Sequence, residues 1–291
     1  MNEQIIVNSI ISASVVVLAG VSFFLPFSVA RFFHFTHGAA FAIGAYTAFV
    51  LAQKVRCNLW FAAAAGVLVS AFLGIILDVL VFRRMQRTGT SAFVLLLASL
   101  GAYVLLQNIL SLVFGDAAMS IAATHAWKTF AVMGARITAA QVLQITTALI
   151  LVIILRLYLK NSATGRAMGA VGHDRFLAQC VGISPARTTT LAFGCGYGLA
   201  GLAGVLSALN VDVVPTMGMN PMMLAMVAVI IGGNTFLGTV CGALLIGFAQ
   251  NFGIIWLPTQ WQSAIVFIIL LFFLLLRPQG FSNRPVKKAT I

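Results

Sequence analysis

His34 and His37 come closest to forming a site: spaced i, i+3, they place two imidazoles on one helical face. A metal centre needs a further ligand, and no carboxylate or cysteine stands near them in sequence, so no metal site is assigned. Cys57, Cys180, Cys195 and Cys241 form no CxxC pair and support neither a zinc site nor a disulfide framework. No HExxH or Ser-His-Asp pattern occurs, which leaves no catalytic residue to name. A phosphate-binding loop requires Gly-Lys-Ser or Gly-Lys-Thr. The residues before Lys54, Lys128, Lys160, Lys287 and Lys288 are Gln53, Trp127, Leu159, Val286 and Lys287. On this reading the chain is not an enzyme and binds no cofactor, and any ATP hydrolysis it depends on comes from another protein.

The elements that position these residues follow from composition. Of 291 residues, 61% are hydrophobic and 8% charged, and the mean hydropathy of +1.07 places the chain in a bilayer. A crossing helix needs about 20 apolar residues. Ile5–Leu25, Phe32–Gln53, Cys57–Leu77, Thr88–Gly115, Ile137–Leu155 and Thr188–Val211 contain no Asp, Glu, Lys or Arg, and Val213–Leu276 runs 64 residues without one. Pro215 and Pro221, the Gly232-Gly233-Asn234 break and Pro258 divide that last stretch into three. The expected fold is a single all-α polytopic membrane domain over residues 1–291, with eight or nine crossings, two of them short: one starting near Gly38 and one at Met222–Ile231. The first helix is expected to be uncleaved, since no Lys or Arg precedes it.

The net charge of +12 is read as topology rather than nucleic-acid binding. With residues 156–187 cytoplasmic, alternation gives the inside Arg31, Arg83, Arg84, Arg87, Arg156, Lys160, Arg166, Arg175, Arg187, Arg277, Arg284, Lys287 and Lys288. The outside keeps Lys54, Arg56, Lys128 and Arg136, a 13 to 4 split. The amino terminus then lies outside and the carboxyl terminus in the cytoplasm; eight crossings with both ends inside result if one short segment is re-entrant. The spans lack the mid-membrane ionisable groups that ion-coupled transporters keep. Asp78 is expected as an interfacial carboxylate near Arg83 and Arg84.

Lys160 to Arg187 is the longest polar segment between spans. Ala163–Cys180 has helical spacing, with Gly182 suited to a left-handed stop and Pro185 barring continuation. Pattern alone allows either a grip for a partner or a plain connector. Within it Gly165, Arg166, Ala167, Met168, Ala170, Val171, Gly172, Asp174, Ala178, Gly182 and Ile183 compose GRAMxAVGxDxxxAxxxGI. This resembles the cytoplasmic loop of branched-chain amino acid ABC transporter permeases. Ala178-x-x-x-Gly182 is similar to the end of the Glu-Ala-Ala motif by which ABC importer permeases dock on their ATPases. His34–Tyr46, Phe193–Leu206, Val227–Gly247 and Leu276–Gly280 resemble further segments of that family, in its order. His34 and Thr36 stand where the family usually has Asn and Ala.

The resemblance implies a type II ABC importer permease of a bacterial inner membrane, working by alternating access. Its implied partners are a second, homologous permease subunit, two ATP-binding subunits that carry ATP and Mg, and an extracytoplasmic solute-binding protein, all around a lipid bilayer. Residues 160–187 become the coupling loop, with Gly165, Arg166, Asp174, Arg175, Phe176, Ala178 and Gly182 as its docking residues. The implied solutes are branched-chain or other neutral amino acids, with urea, short amides or aromatic carboxylates as alternatives within the family. A self-sufficient secondary transporter or channel, or a membrane scaffold, are the readings from other classes.

Thr36 is expected to cap a helix starting inside the membrane, whose positive end could face a solute carboxylate. Gly38 and its small neighbours equally suit close helix packing. The solute-pathway candidates are His34, Phe35, Thr36, His37, Gly38, Tyr46, Gln107, Asn108, Gly232 and Gly233. Gln141, Gln144, Gln250 and Asn251 are the remaining uncharged polar residues in the spans. Gly194, Gly198, Gly201 and Gly204 are read as helix-packing positions.

Overall fold

The computed structural model describes residues 2–121, 127–132, 134–253, 255, 258–277 and 280–281. Arg284, Lys287, Lys288 and the Pro278-Gln279 pair lie outside the described residues. Among the described residues, six helices are long and apolar enough to cross a membrane. They are α1 (Asn2–Ala30), α3 (Leu59–Leu77, continued through a π-turn into α4, Arg83–Arg87), α5 (Ala92–Phe114), α6 (Ala139–Asn161), α9 (Pro185–Ala208) and α11 (Phe236–Gly253). Shorter apolar helices complete the set: α2 (Thr36–Phe49), α10 (Met219–Ile231) and α12 (Gln262–Leu276). The short segments near Gly38 and Met222 are thus α2 and α10.

Helix boundaries follow local chemistry. Asn58, Ser91 and Thr138 cap α3, α5 and α6 by accepting backbone N–H bonds, and Pro185 occupies the first turn of α9. A hairpin of β1 (Thr129–Val132) and β2 (Ala135–Thr138), in register Thr129 to Thr138, precedes α6 and, with a single Met119–Val213 bridge, departs from the all-helical expectation among the described residues.

α1 and α9 form the centre of the bundle; α11, α10 and α6 pack on α1, and α2 and α3 pack on α9. α5 rests principally on α2 and leaves most of its surface open. The last turns of α1, α4 and α6 gather at one end with α7 (Ala163–His173), α8 (Arg175–Cys180) and the first turns of α9 and α11. Arg31, Arg83, Arg175 and Arg187 stand at this end, while Lys54, Arg56, Lys128 and Arg136 belong to the other, where Gln4 bonds the Arg136 backbone.

The short helix α10 is the architectural peculiarity. At 13 residues it is about 20 Å long, short of the ~30 Å hydrocarbon core, whereas the 14 residues of α2 run on through a π-turn over Val50–Lys54. Each is reached by non-helical backbone, and their first turns meet inside the bundle: a Cβ on Gly38 would lie 2.9 Å from the Gly218 carbonyl oxygen.

Candidate functional site

The loop after α6 folds as two helices, not the single one expected over Ala163–Cys180. Ser162 caps α7 by accepting from Gly165 N–H at 2.9 Å. Gly165 and Gly172 press on the backbone of Tyr158-Leu159 and of Ser28, where a side chain would not fit. Asp174 then breaks the helix: its backbone is extended (φ −153), and its Oδ1 accepts from the N–H groups of Phe176 and Leu177 at 2.9 and 3.0 Å. An aspartate that satisfies two orphan donors favours a new N-terminus over continuation. Gly182 ends α8 at φ +81, its N–H donating to Gln179 O and Ile183 N–H to Ala178 O.

This break turns α8 outward. Ala178 is buried, whereas Phe176, Leu177 and Val181 are 72%, 59% and 73% exposed, forming an apolar knob on the basic end of the bundle. Phe176 was singled out in the sequence; Leu177 and Val181 were missed, although an apolar pair beside Arg175 in a polar loop is a usable signal. Arg175 anchors the knob from below. Its Nη2 donates to the carbonyls of Val29 and Ala30 at 3.1 and 3.4 Å, and its Nη1 donates to Gln86 Oε1 at 3.1 Å. Burial pushes its pKa down, and the nearby Asp78 charge opposes that shift. Arg31 complements it from α1 by donating to Gly172 O. Arg166 is exposed and donates to Asn161 O at 2.7 Å.

Beside α8 lies a cavity of about 320 Å³ lined by Asp78, Arg83, Gln86 and Arg175 among others. Asp78 pairs with Arg83 at 3.0 Å and accepts from Thr190 at 2.6 Å. The pairing with Arg83 is the one expected; the carboxylate is buried within the bundle, and Arg84 takes no part in that ion pair.

The second cluster surrounds the start of α2. His34, Thr36, His37 and Tyr197 are all 2% exposed or less. Thr36 does not cap α2: it is already helical, and its hydroxyl meets Tyr197 OH at 2.5 Å. The cap residue is Phe35, whose N–H donates to Ser99 Oγ of α5 at 3.0 Å. His37 Nε2 contacts Ser22 Oγ at 2.9 Å, and the His34 ring stacks on Phe23 with centroids 4.5 Å apart. His34 Nε2 and His37 Nδ1 are buried without a partner among the described residues. The knot ties α1, α2, α5 and α9 together where the chain turns into α2. No group of three or more His, Cys, Asp and Glu among the described residues could hold a metal ion.

The other pathway candidates scatter. Tyr46 is buried against Phe114 of α5, and its hydroxyl lacks a partner among the described residues. Gln107 is half-buried, and Asn108 is exposed on α5, donating to Val104 O at 2.7 Å. Gly232 and Gly233 lie at the far end of α10, packed against Thr239 and Gly280, away from the histidines. Gln141 closes a capping box with Thr138, Gln144 joins α1 to Asn210, and Gln250 and Asn251 are buried in α11. In α9, Gly194 and Gly198 lie against Ile75 and Ala71 of α3; Gly201 meets Ser70 and Gly204 the Phe41 backbone of α2.

Comparison with known proteins matches residues 5–274 to the family model described as branched-chain amino acid transport system / permease component. The high-affinity branched-chain amino acid transport system permease protein LivH of Salmonella typhimurium is 25% identical, covering 96% of this chain and 94% of that one. BraD of Pseudomonas aeruginosa, a permease protein of the same description, is 25% identical over 97% and 96%. The fructose import permease protein FruG of Bifidobacterium longum is 28% identical over 45% of this chain and 41% of its own. Among solved structures, PsaBC from Streptococcus pneumoniae in complex with Fab shares the fold at TM-score 0.54, with 11% identity over 95% and 93% of the two chains. The chain belongs to the branched-chain amino acid transport system permease family, as a permease component of an ABC transporter.

Proposed function

We propose that the chain is one of two permease subunits of an importer in a bacterial inner membrane, carrying branched-chain or similar neutral amino acids into the cytoplasm. A binding protein delivers the solute outside, and two ATPase subunits with ATP and Mg drive the cycle inside. The observation that carries this reading is the exposed Phe176-Leu177-Val181 knob, held by Arg175 to the ends of α1 and α4 at the basic end of the bundle. Exposed apolar side chains on a short, capped helix are what a groove on another protein can grip. On the positive-inside rule the basic end faces the cytoplasm, where ATP is.

Motion received by α8 passes through Arg175 to α1 and α4, and through α1 to α9 and α11. The histidine knot is closed on all sides, so the solute path is assigned to the open face of α5, where Gln107 and Asn108 stand, against the second permease. Uncharged amides suit a zwitterion with no net charge. The test is uptake into vesicles of the chain reconstituted with and without its ATPases and binding protein, comparing leucine, fructose and urea. ATP-dependent leucine uptake is expected. Uptake by the lone chain on an ion gradient would overturn the reading, and preference for fructose or urea would overturn the solute.

A further inference from the structure

An apolar groove of about 480 Å³ opens between α3, α6 and α9, walled by Ala71 and Ile75, by Leu151 and Ile154, and floored by Cys195 and Gly198. It exists because α6 leans on α1 and barely touches α9, while Gly194 and Gly198 draw α9 close to α3 on its other side. From Leu191 to Leu199 the groove runs about 12 Å along α9 at 1.5 Å per residue, close to one ~15 Å hydrocarbon leaflet. It lies in the half of the bundle nearer the basic end, since α9 starts at Pro185 and α6 ends at Asn161.

Its lining and its charge identify the occupant. No charged side chain lines the groove, and its walls of Val, Ala, Ile and Leu suit a hydrocarbon chain. At the basic mouth, Arg187 stands one turn before Leu191 on the same face of α9, exposed and without an ion pair among the described residues. Asp78, one turn beyond Ile75, is buried and committed to Arg83. Tyr158, the groove residue nearest that mouth on α6, accepts from Thr164.

We propose that this groove holds one acyl chain of an anionic phospholipid from the cytoplasmic leaflet, its headgroup phosphate on Arg187. The lipid fills the space that would otherwise separate α6 from α9, and it couples the anionic lipid content of the membrane to the helix that bears the loop.

Native mass spectrometry of the full transporter, titrated with phosphatidylglycerol or phosphatidylcholine, tests this. The wild type is expected to retain a phosphatidylglycerol in preference to phosphatidylcholine. Arg187→Gln weakens that binding about fivefold, as loss of one basic residue at an anionic surface does. Cys195→Trp, which fills the groove, abolishes it. Equal retention of both lipids by the wild type, or an undiminished phosphatidylglycerol affinity in Arg187→Gln, would overturn the proposal. So would an oxidative crosslink from Cys195 to the second permease, because the groove would then face protein. If Cys195→Trp fails to assemble, Arg187→Gln decides alone.

Discussion

Arg175 Nη2 lies 3.1 Å from the carbonyl oxygen of Val29, joining the exposed helix α8 to the last turn of α1. That carbonyl is one of the orphan acceptors at a helix C-terminus, and a cation there also complements the helix dipole. The contact therefore stabilises both elements and makes the knob and α1 move as one. Hydrogen bonds to charged groups contribute about 1.5–3 kcal/mol each. Arg175→Ala is expected to leave membrane insertion intact while lowering solute uptake about tenfold or more, the equivalent of ~1.4 kcal/mol. Arg175→Lys, which keeps charge but not the fork, recovers only part. Arg166→Ala, which within the chain loses only the Asn161 carbonyl, should cost less than Arg175→Ala, since this exposed docking-loop residue ties α7 to neither α1 nor α4. Uptake and ATPase rates in proteoliposomes check the ranking, and equal losses from Arg166 and Arg175 would show that the anchor is not the transmitting contact.

The knob itself separates docking from folding. Phe176 and Val181 are exposed, so changing them to Ser removes little from the isolated chain but deletes apolar area from an interface. Fully burying one such side chain is worth about 1.5–3 kcal/mol. The double change Phe176→Ser with Val181→Ser should weaken ATPase association by at least about a hundredfold, ~2.7 kcal/mol, with the permease melting temperature unchanged. Co-purification and titration of the ATPase subunits measure it. Undiminished association would move the docking surface away from α8.

How far the sequence carries can be judged at these same residues. Uncharged windows bounded by Arg and Lys locate the spans because lipid imposes one rule on every helix, and Gly182 and Pro185 mark turns by their own backbone limits. The break at Asp174 was hidden because the apolar spacing from Ala167 to Ala178 continues through it; the decision rests on two N–H groups that only the folded loop orients. Thr36 was misread as a cap for a longer-range reason. Its partner Tyr197 is 161 residues away, and local pattern carries no information about it. Exposure of Leu177 and Val181 likewise depends on how α8 leans on α7 and α9.

The closed knot at the start of α2 yields a stability prediction distinct from a transport one. Thr36→Val keeps the shape but leaves Tyr197 OH buried without its partner, at a cost of about 1–3 kcal/mol. His34→Asn removes a ring stacked 4.5 Å from Phe23 and leaves a small void. Both variants should lower the melting temperature of the purified transporter while leaving the ranking of solutes as it was. A changed ranking after His34→Asn would mean that the knot opens onto the solute during the cycle.

Close approach of α9 to its neighbours makes a further demand. A Cβ on Gly204 would run into the carbonyl of Phe41, and one on Gly44 would come within 2.5 Å of Gly201 Cα. Backbone cannot yield as a flexible side chain does, so Gly204→Ala should destabilise by about 1–3 kcal/mol, in the range of overpacked cores. Gly101→Ala on α5, with nothing near it, should be neutral or slightly stabilising. Thermal unfolding in one detergent compares the two, and equal behaviour would contradict the α2–α9 contact.

Asn108 tests where the solute travels. On the open face of α5 its amide bonds, among the described residues, only its own helix, to Val104 O at 2.7 Å, which leaves its carbonyl oxygen and a second N–H. If that face met only lipid, Asn108→Leu would remove an exposed polar group from hydrocarbon and should stabilise the chain without slowing transport. With the path between two permeases, the same change withdraws a hydrogen-bonding group from a zwitterionic solute. It is then expected to lower uptake about tenfold, with ATPase coupling to the loaded binding protein retained. Uptake of radiolabelled leucine by Asn108→Leu and by Asn108→Gln, which restores the amide, distinguishes these cases. Rescue by Gln places the amide chemistry on the path, and wild-type uptake by the Leu variant would assign this face of α5 to the bilayer.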